Sequence, residues 1–89
     1  MITNEDKLKI QEISKKYRAK SVLLFGSSIL PDTQSNDIDI AVDGIPPKDF
    51  YSFFGDLLFS LSKPVDVVDL SGSSKFIKLI RRDGVLIYG

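Results

Sequence analysis

Apolar residues along this 89-residue chain fall into stretches with helical spacing and stretches with strand spacing. Near the N-terminus three apolar residues recur at helical spacing among lysines, which predicts an amphipathic helix over residues 4–18. Thr3 or Asn4 would cap this helix, because acidic residues follow in its first turn. The later segments predict strands over 21–25, 36–42 and 65–70, helices over 48–61 and 75–82, and an apolar tail over 85–88 that forms an edge strand or a docking segment.

The helix predicted over 48–61 carries the broadest apolar stripe of the chain. Its members recur at i, i+3, i+4 and i+7, and they are Phe50, Phe53, Phe54, Leu57, Leu58 and Leu61. Tyr51 and Phe59 fall outside the stripe; they would suit a protein-binding surface, or belong to a core that wraps around the helix. In the last helix, the residues expected to face inward are Phe76, Ile77, Leu79 and Ile80.

The order of the elements is α-β-turn-β-α-β-α, followed by the tail. This order predicts an α/β or α+β fold with a small mixed sheet flanked by helices. The length predicts one domain over residues 1–89.

The composition excludes several kinds of chemistry. The chain has no cysteine and no histidine, which removes disulfides, thiolate metal sites, histidine zinc sites and histidine acid–base catalysis. No apolar run approaches the length of about 18 residues that a membrane helix needs, and no secretory pattern opens the chain. We therefore expect a cytoplasmic protein without a membrane partner, in which carboxylates and bound metal perform any catalysis.

A net charge of zero hides an uneven distribution of charge. Residues 31–70 carry eight aspartates against two lysines, whereas basic residues prevail in 1–20 and 71–89. The basic ends could meet phosphate or an acidic partner, but solvated helix faces explain them more simply. A nucleic-acid binder would show a clearer basic excess, so we do not expect a nucleic-acid partner.

Two carboxylates open the second predicted strand. Asp37 and Asp39 are two residues apart and so share one face, whereas Ile38, Ile40 and Val42 take the opposite, core face. At about 4 Å and an effective dielectric constant near 20, two such charges repel by roughly 4 kcal/mol. Either one carboxylate is protonated or a cation lies between them, and carboxylate oxygens suit Mg²⁺.

A Gly-Ser pair ends the strand before these carboxylates. Gly26 lets backbone amides approach a phosphate closely, and a helix that starts after Ser27 would favour the same anion. Together with the two aspartates, this pair indicates a site for a metal-bound nucleoside triphosphate. The simpler alternatives are solvated acids at the start of a strand, a turn glycine and a capping serine.

Gly-Ser, nine residues and then Asp-x-Asp resembles the signature of the DNA polymerase beta-like nucleotidyltransferase superfamily. The short chain is similar to its minimal nucleotidyltransferases, which are often encoded beside a HEPN-domain protein. That family has a third carboxylate in a setting like Val65-Asp66-Val67-Val68. Asp66 and Asp69 are three residues apart and so point to opposite faces of a strand. The resemblance favours Asp66 as the third acid and leaves Asp69 as a loop or capping residue.

The resemblance implies a metal-dependent transfer of a nucleoside monophosphate, AMP from ATP, to a hydroxyl group. It implies two Mg²⁺ ions, or Mn²⁺, held by the catalytic residues Asp37, Asp39 and Asp66, and a nucleotide held by Gly26, Ser27 and Ser28. Many family members carry arginines after Gly-Ser, where this chain has Ser28-Ile29-Leu30-Pro31.

The acceptor implied by the resemblance is a HEPN-type toxin, which would make the chain an antitoxin. Two alternatives remain open. One is an antitoxin that neutralises its partner by binding alone, and the other is a subunit of a small-molecule nucleotidyltransferase, as in aminoglycoside modification.

Overall fold

This computed structural model describes residues 2–26 and 37–89. Its elements match all the predicted segments to within a few residues, and the apolar tail forms an edge strand. The helices and strands are α1 (Asn4–Lys16), β1 (Ser21–Leu24), β2 (Ile38–Asp43), α2 (Pro47–Ser60), β3 (Val65–Asp69), α3 (Lys75–Asp83) and β4 (Val85–Tyr88). None of the helices in the described residues is long and apolar enough to cross a membrane.

The four strands form one mixed sheet in the order β3-β2-β1-β4. The central strand β1 pairs antiparallel with both β2 and β4. The pairing of β2 with β3 is parallel, and α2 connects these two strands. This arrangement confirms the predicted α+β fold with a small mixed sheet.

The main core lies on one face of the sheet, beneath α1 and α2. Ile38, Ile40 and Val42 of β2 are buried there, as their alternation predicted, and they pack with Phe53 and Leu57 of α2. Since alternate residues of a strand point to opposite faces, these isoleucines direct the intervening carboxylates away from this core. The sheet therefore separates its larger apolar core from its acids.

A smaller apolar cluster covers part of the opposite face. Its buried members are Ala41 of β2, Leu70 just after β3, and Ile80 of α3. Ile77 packs against them. The prediction that Phe76 and Leu79 also face inward is wrong, because these side chains are 53% and 48% exposed.

The orientation of α3 explains this difference. Arg81 donates from Nη2 to the carbonyl oxygen of Leu70 at 3.1 Å and approaches Asp43 at 3.6 Å. These contacts turn the face that contains Ile77, Ile80 and Arg81 toward the sheet, which leaves Phe76 and Leu79 on the flank. The helix begins at Lys75, and Ser74 caps it by accepting a hydrogen bond from the Ile77 amide.

One buried acid joins the start of α1 to the segment after α2. Asp6 is 3% exposed, and its carboxylate accepts hydrogen bonds from the Ser62 amide at 3.1 Å and the Ser62 hydroxyl at 2.5 Å. The Asp6 amide in turn donates to Oγ1 of Thr3, which caps the helix as predicted. No pattern in the sequence indicates this link, because Ser62 lies 56 residues from Asp6.

We expect Asp6→Ala to lower the free energy of unfolding by about 1–3 kcal/mol, because it leaves the Ser62 amide without its acceptor. Urea unfolding monitored by circular dichroism measures the change. Glu5→Ala is the matched control on the same helix turn. Glu5 forms an exposed ion pair with Lys9, and its loss should change stability by about 0.5 kcal/mol at most. Equal effects of the two substitutions would contradict the proposed role of Asp6.

Candidate functional site

Two of the three predicted acids lie at the start of β2. Asp37 directly precedes the strand and is exposed, and Asp39 is its second residue and is partly buried. Between and beyond them, Ile38 and Ile40 are fully buried on the opposite face. The packing of these isoleucines therefore fixes the face on which both carboxylates lie.

The third acid reaches the same face through the pairing of β2 with β3. In their parallel register Asp39 lies directly opposite Asp66. Neighbouring strands are about 4.8 Å apart and paired residues share a face, so the two carboxylates are adjacent. Asp69 has the opposite parity, and its carboxylate accepts a hydrogen bond from the Ser71 amide at 2.9 Å. Asp69, the last residue of β3, thus bonds to the turn that follows the strand.

Gly26 lies against the middle acid of the three. Its φ of +63° lies in the left-handed region that side chains disfavour, and a Cβ atom at this position would stand 2.8 Å from Oδ2 of Asp39. The Phe25 amide donates to the carbonyl oxygen of Asp39 at 3.1 Å, which holds the end of β1 beside β2. A side chain at this position would therefore strain the backbone and displace the Asp39 carboxylate. Ser27 and Ser28, the other residues predicted to bind nucleotide, lie outside the described residues.

The electrostatics of the three acids centre on Asp39. Burial raises the pKa of the Asp39 carboxyl above its ordinary value, and the negative charges of Asp66 and Asp37 raise it further. Each of these neighbours is thus close enough to disfavour the ionised form of Asp39. A cation bound among these carboxylates would relieve this repulsion.

The donor set fits a hard divalent cation, because it consists of carboxylate oxygens on one face of a sheet. In the described residues, no three acidic side chains are already drawn together at the spacing of metal ligands. Asp37 and Asp39 each make a further interaction in the folded chain. The arrangement therefore offers adjacent oxygen ligands for a divalent ion rather than a preformed cage.

An ion pair at the far end of β2 was not anticipated. Asp43 has the same parity as Asp37 and Asp39, and Arg81 of α3 lies 3.6 Å from its carboxylate. The alternation of acids along the strand could have placed Asp43 on this face. No pattern in the sequence identifies Arg81 as its partner, because the pairing depends on how α3 crosses the sheet.

The chain matches a known family over most of its length. The model of the polymerase beta nucleotidyltransferase family matches residues 8–89. No curated protein matches the sequence significantly.

Solved structures share the fold over nearly the whole chain. The chain is 26% identical to a chain of a toxin–antitoxin crystal structure with AMP-PNP, covering 98% of this chain and 74% of that one at a TM-score of 0.75. A toxin–antitoxin MntA-HepT structure matches at 24% identity and a TM-score of 0.72. That match covers 98% of this chain and 73% of the other. A structure of a tri-AMPylated Shewanella oneidensis HEPN toxin in complex with MNT antitoxin matches at 24% identity. The match covers 94% of this chain and 70% of that one, with a TM-score of 0.71.

We expect Gly26→Ala to lower the free energy of unfolding by about 1–2 kcal/mol, the cost of a left-handed backbone for a residue with a Cβ atom. The contact with Oδ2 of Asp39 adds to this cost. Gly55→Ala is the matched control, because Gly55 lies in α2 with open space around it. Alanine there should stabilise the helix by up to about 1 kcal/mol. Denaturant unfolding measures the change in the free energy of unfolding for both variants. If Gly26→Ala stabilised the protein, the close approach of residue 26 to the Asp39 carboxylate would be refuted.

We expect Asp39→Asn to raise the melting temperature at pH 7 in EDTA by a few degrees. The folded state holds a proton on Asp39 more tightly than the unfolded chain does, so stability is lost as pH rises through the raised pKa of Asp39. Asparagine mimics the protonated form, and its advantage should vanish below the ordinary aspartate pKa of about 3.9. Asp69→Asn, which keeps an acceptor oxygen for the Ser71 amide, should leave the melting temperature nearly unchanged at both pH values. A gain from Asp39→Asn that persists at pH 3 would contradict the electrostatic explanation.

Proposed function

Because this chain belongs to the polymerase beta nucleotidyltransferase family, we propose that it transfers AMP from ATP to a hydroxyl group of a HEPN-type toxin and thereby acts as an antitoxin. The observation that carries this proposal is the register that sets Asp66 opposite Asp39, on the face that Gly26 also borders. The structural relatives support the choice of nucleotide and partner. One was crystallised with AMP-PNP, and another holds an AMPylated HEPN toxin.

In the proposed reaction the hydroxyl oxygen of the acceptor attacks the α-phosphorus of ATP. The bond from this phosphorus to the bridging oxygen breaks, and pyrophosphate leaves with the bond's electron pair. Asp66 accepts the proton of the hydroxyl group; it is exposed at the edge strand β3, where an incoming acceptor can reach it. Asp37 and Asp39 would hold the metal that neutralises the phosphates, and Gly26 and Ser27 would bind the outer phosphates.

Asp37, Asp39 and Asp66 would hold two Mg²⁺ ions, which neutralise charge on the phosphates and lower the pKa of the attacking hydroxyl. The raised pKa of Asp39 supports a cation at this position, because burial and the negative charges of Asp66 and Asp37 all disfavour an unpaired Asp39 carboxylate. The contribution of the protein is geometric. The sheet holds the three acids on one face, and the turn at Gly26 leaves room beside the middle one.

A transfer assay with labelled ATP, Mg²⁺ and a HEPN-domain partner protein tests the proposal. We expect label on the partner with the wild-type chain and none with the double substitution Asp37→Asn and Asp39→Asn, because it removes two of three metal ligands. Asp69→Asn is the control on the same strand as Asp66, and it should retain transfer because its side chain points to the other face.

Neutralisation of the partner is measured in the same preparations. If the doubly substituted chain forms no labelled partner but still neutralises it, the antitoxin acts by binding alone and the enzymatic account of neutralisation is wrong. If the wild-type chain labels no partner, the proposed transfer itself is wrong.

A further inference from the structure

We propose that Phe25 and Phe76 form an aromatic platform on which the base of the bound nucleotide stacks. This inference rests on the proposed function, since it assigns a nucleotide contact to the same site. It adds a residue of α3 to a site that the sequence motifs place only on β1, β2 and β3. Two residues define the platform: Phe25, at the end of β1, and Phe76, in the first turn of α3.

Phe25 lies on the acid face, beside Asp39. The ladder that pairs Leu24 with Ile40 continues by one step, since the Phe25 amide donates to the Asp39 carbonyl at 3.1 Å. Directly opposite residues on antiparallel strands share a face, with Cβ atoms about 5 Å apart. Phe25 also packs against the cluster around Ala41, which is the apolar part of that same face. Its ring therefore borders the carboxylates.

Phe76 extends this apolar border outward. Its ring makes an edge-to-face contact with the Phe25 ring, with centroids 5.9 Å apart and planes at 82°. Phe76 nevertheless remains 53% exposed. The helix that carries it is fixed by buried Ile80 and by Arg81, which contacts Leu70 and Asp43. Phe76 is thus an exposed aromatic ring held in one place.

The separation of the platform from the acids suits a nucleotide. Phe25 lies about 5 Å across the strands from Asp39, and the Phe76 ring lies 5.9 Å beyond the Phe25 ring. The Phe76 ring is therefore on the order of 10 Å from Asp39. An extended nucleotide whose phosphates lie at Gly26 and Asp39 can span this distance. Nucleobases stack on aromatic side chains whatever their sequence identity, because every base has a π-face.

Other exposed aromatic residues of the described chain lack this placement. Tyr51 and Phe59 are 83% and 95% exposed, but both lie on α2, which packs on the opposite face of the sheet. Neither can contact a nucleotide bound at Asp39 across the sheet. Phe59 therefore provides a control that makes the same chemical change far from the site.

Isothermal titration calorimetry with AMP-PNP and with inorganic tripolyphosphate, both in Mg²⁺, tests the platform on the free chain. We expect Phe76→Ala to weaken AMP-PNP binding about tenfold, the size of one base–aromatic contact, and to leave tripolyphosphate binding unchanged. Phe76→Tyr keeps a ring and should bind AMP-PNP like the wild type. Phe76→Leu keeps apolar volume without a ring and should bind like Phe76→Ala, and Phe59→Ala should change neither ligand.

Three results would overturn the platform. Unchanged AMP-PNP affinity for Phe76→Ala, with slower transfer to the partner, would assign Phe76 to the partner contact instead. Equal loss of AMP-PNP and tripolyphosphate binding would assign it to packing alone, and so would full AMP-PNP binding by Phe76→Leu.

The failure of the proposed transfer is distinguishable from these results. In that case the wild-type chain labels no partner, yet it binds AMP-PNP more tightly than tripolyphosphate and Phe76→Ala removes that difference; the platform then stands.

Discussion

The parallel register between β2 and β3 is the constraint on which the site depends. A slip of one residue would turn every side chain of β3 to the other face and carry Asp66 away from Asp39. Backbone hydrogen bonds hold this register at both ends of the pair, from the Ile38 amide to the Pro64 carbonyl at 2.8 Å and from the Leu70 amide to the Val42 carbonyl at 2.9 Å. These two bonds, together with the strand pairing between them, set Asp66 opposite Asp39.

The apolar core stabilises an arrangement that the acids alone would disfavour. Ile38, Ile40 and Val65 are buried on the face opposite the carboxylates, and each buried aliphatic side chain contributes roughly 1.5–3 kcal/mol. Burial and the adjacent negative charges of Asp66 and Asp37 disfavour the ionised form of Asp39, which raises the pKa of its carboxyl. Burial beneath α1 and α2 therefore stabilises the fold. The opposite face carries repulsion between carboxylates that a bound cation would relieve.

Strand parity explains how far the sequence alone could predict this structure. Alternation placed Asp37 and Asp39 opposite the core, and it separated Asp66 from Asp69, but parity could not say which of the latter two joins the site. The resemblance of Val-Asp-Val-Val to a family motif favoured Asp66, and the observed register agrees. The contacts of Asp6 and of Arg81 were missed because they join residues distant in sequence. The helical pattern of α3 predicts Phe76 inward, because such a pattern does not show which flank of a short helix meets the sheet.

The incomplete cover of the acid face links the fold to its proposed chemistry. The nine-residue helix α3 is only about 13 Å long and packs over Ala41 and Leu70. Asp37 and Asp66 therefore remain exposed at the other end of the same strands. An exposed sheet face of this kind excludes little water by itself, whereas phosphoryl transfer is favoured by a closed site from which water is excluded. The proposed protein acceptor would resolve this conflict, because a protein that presents the hydroxyl group would also cover the acids and the nucleotide.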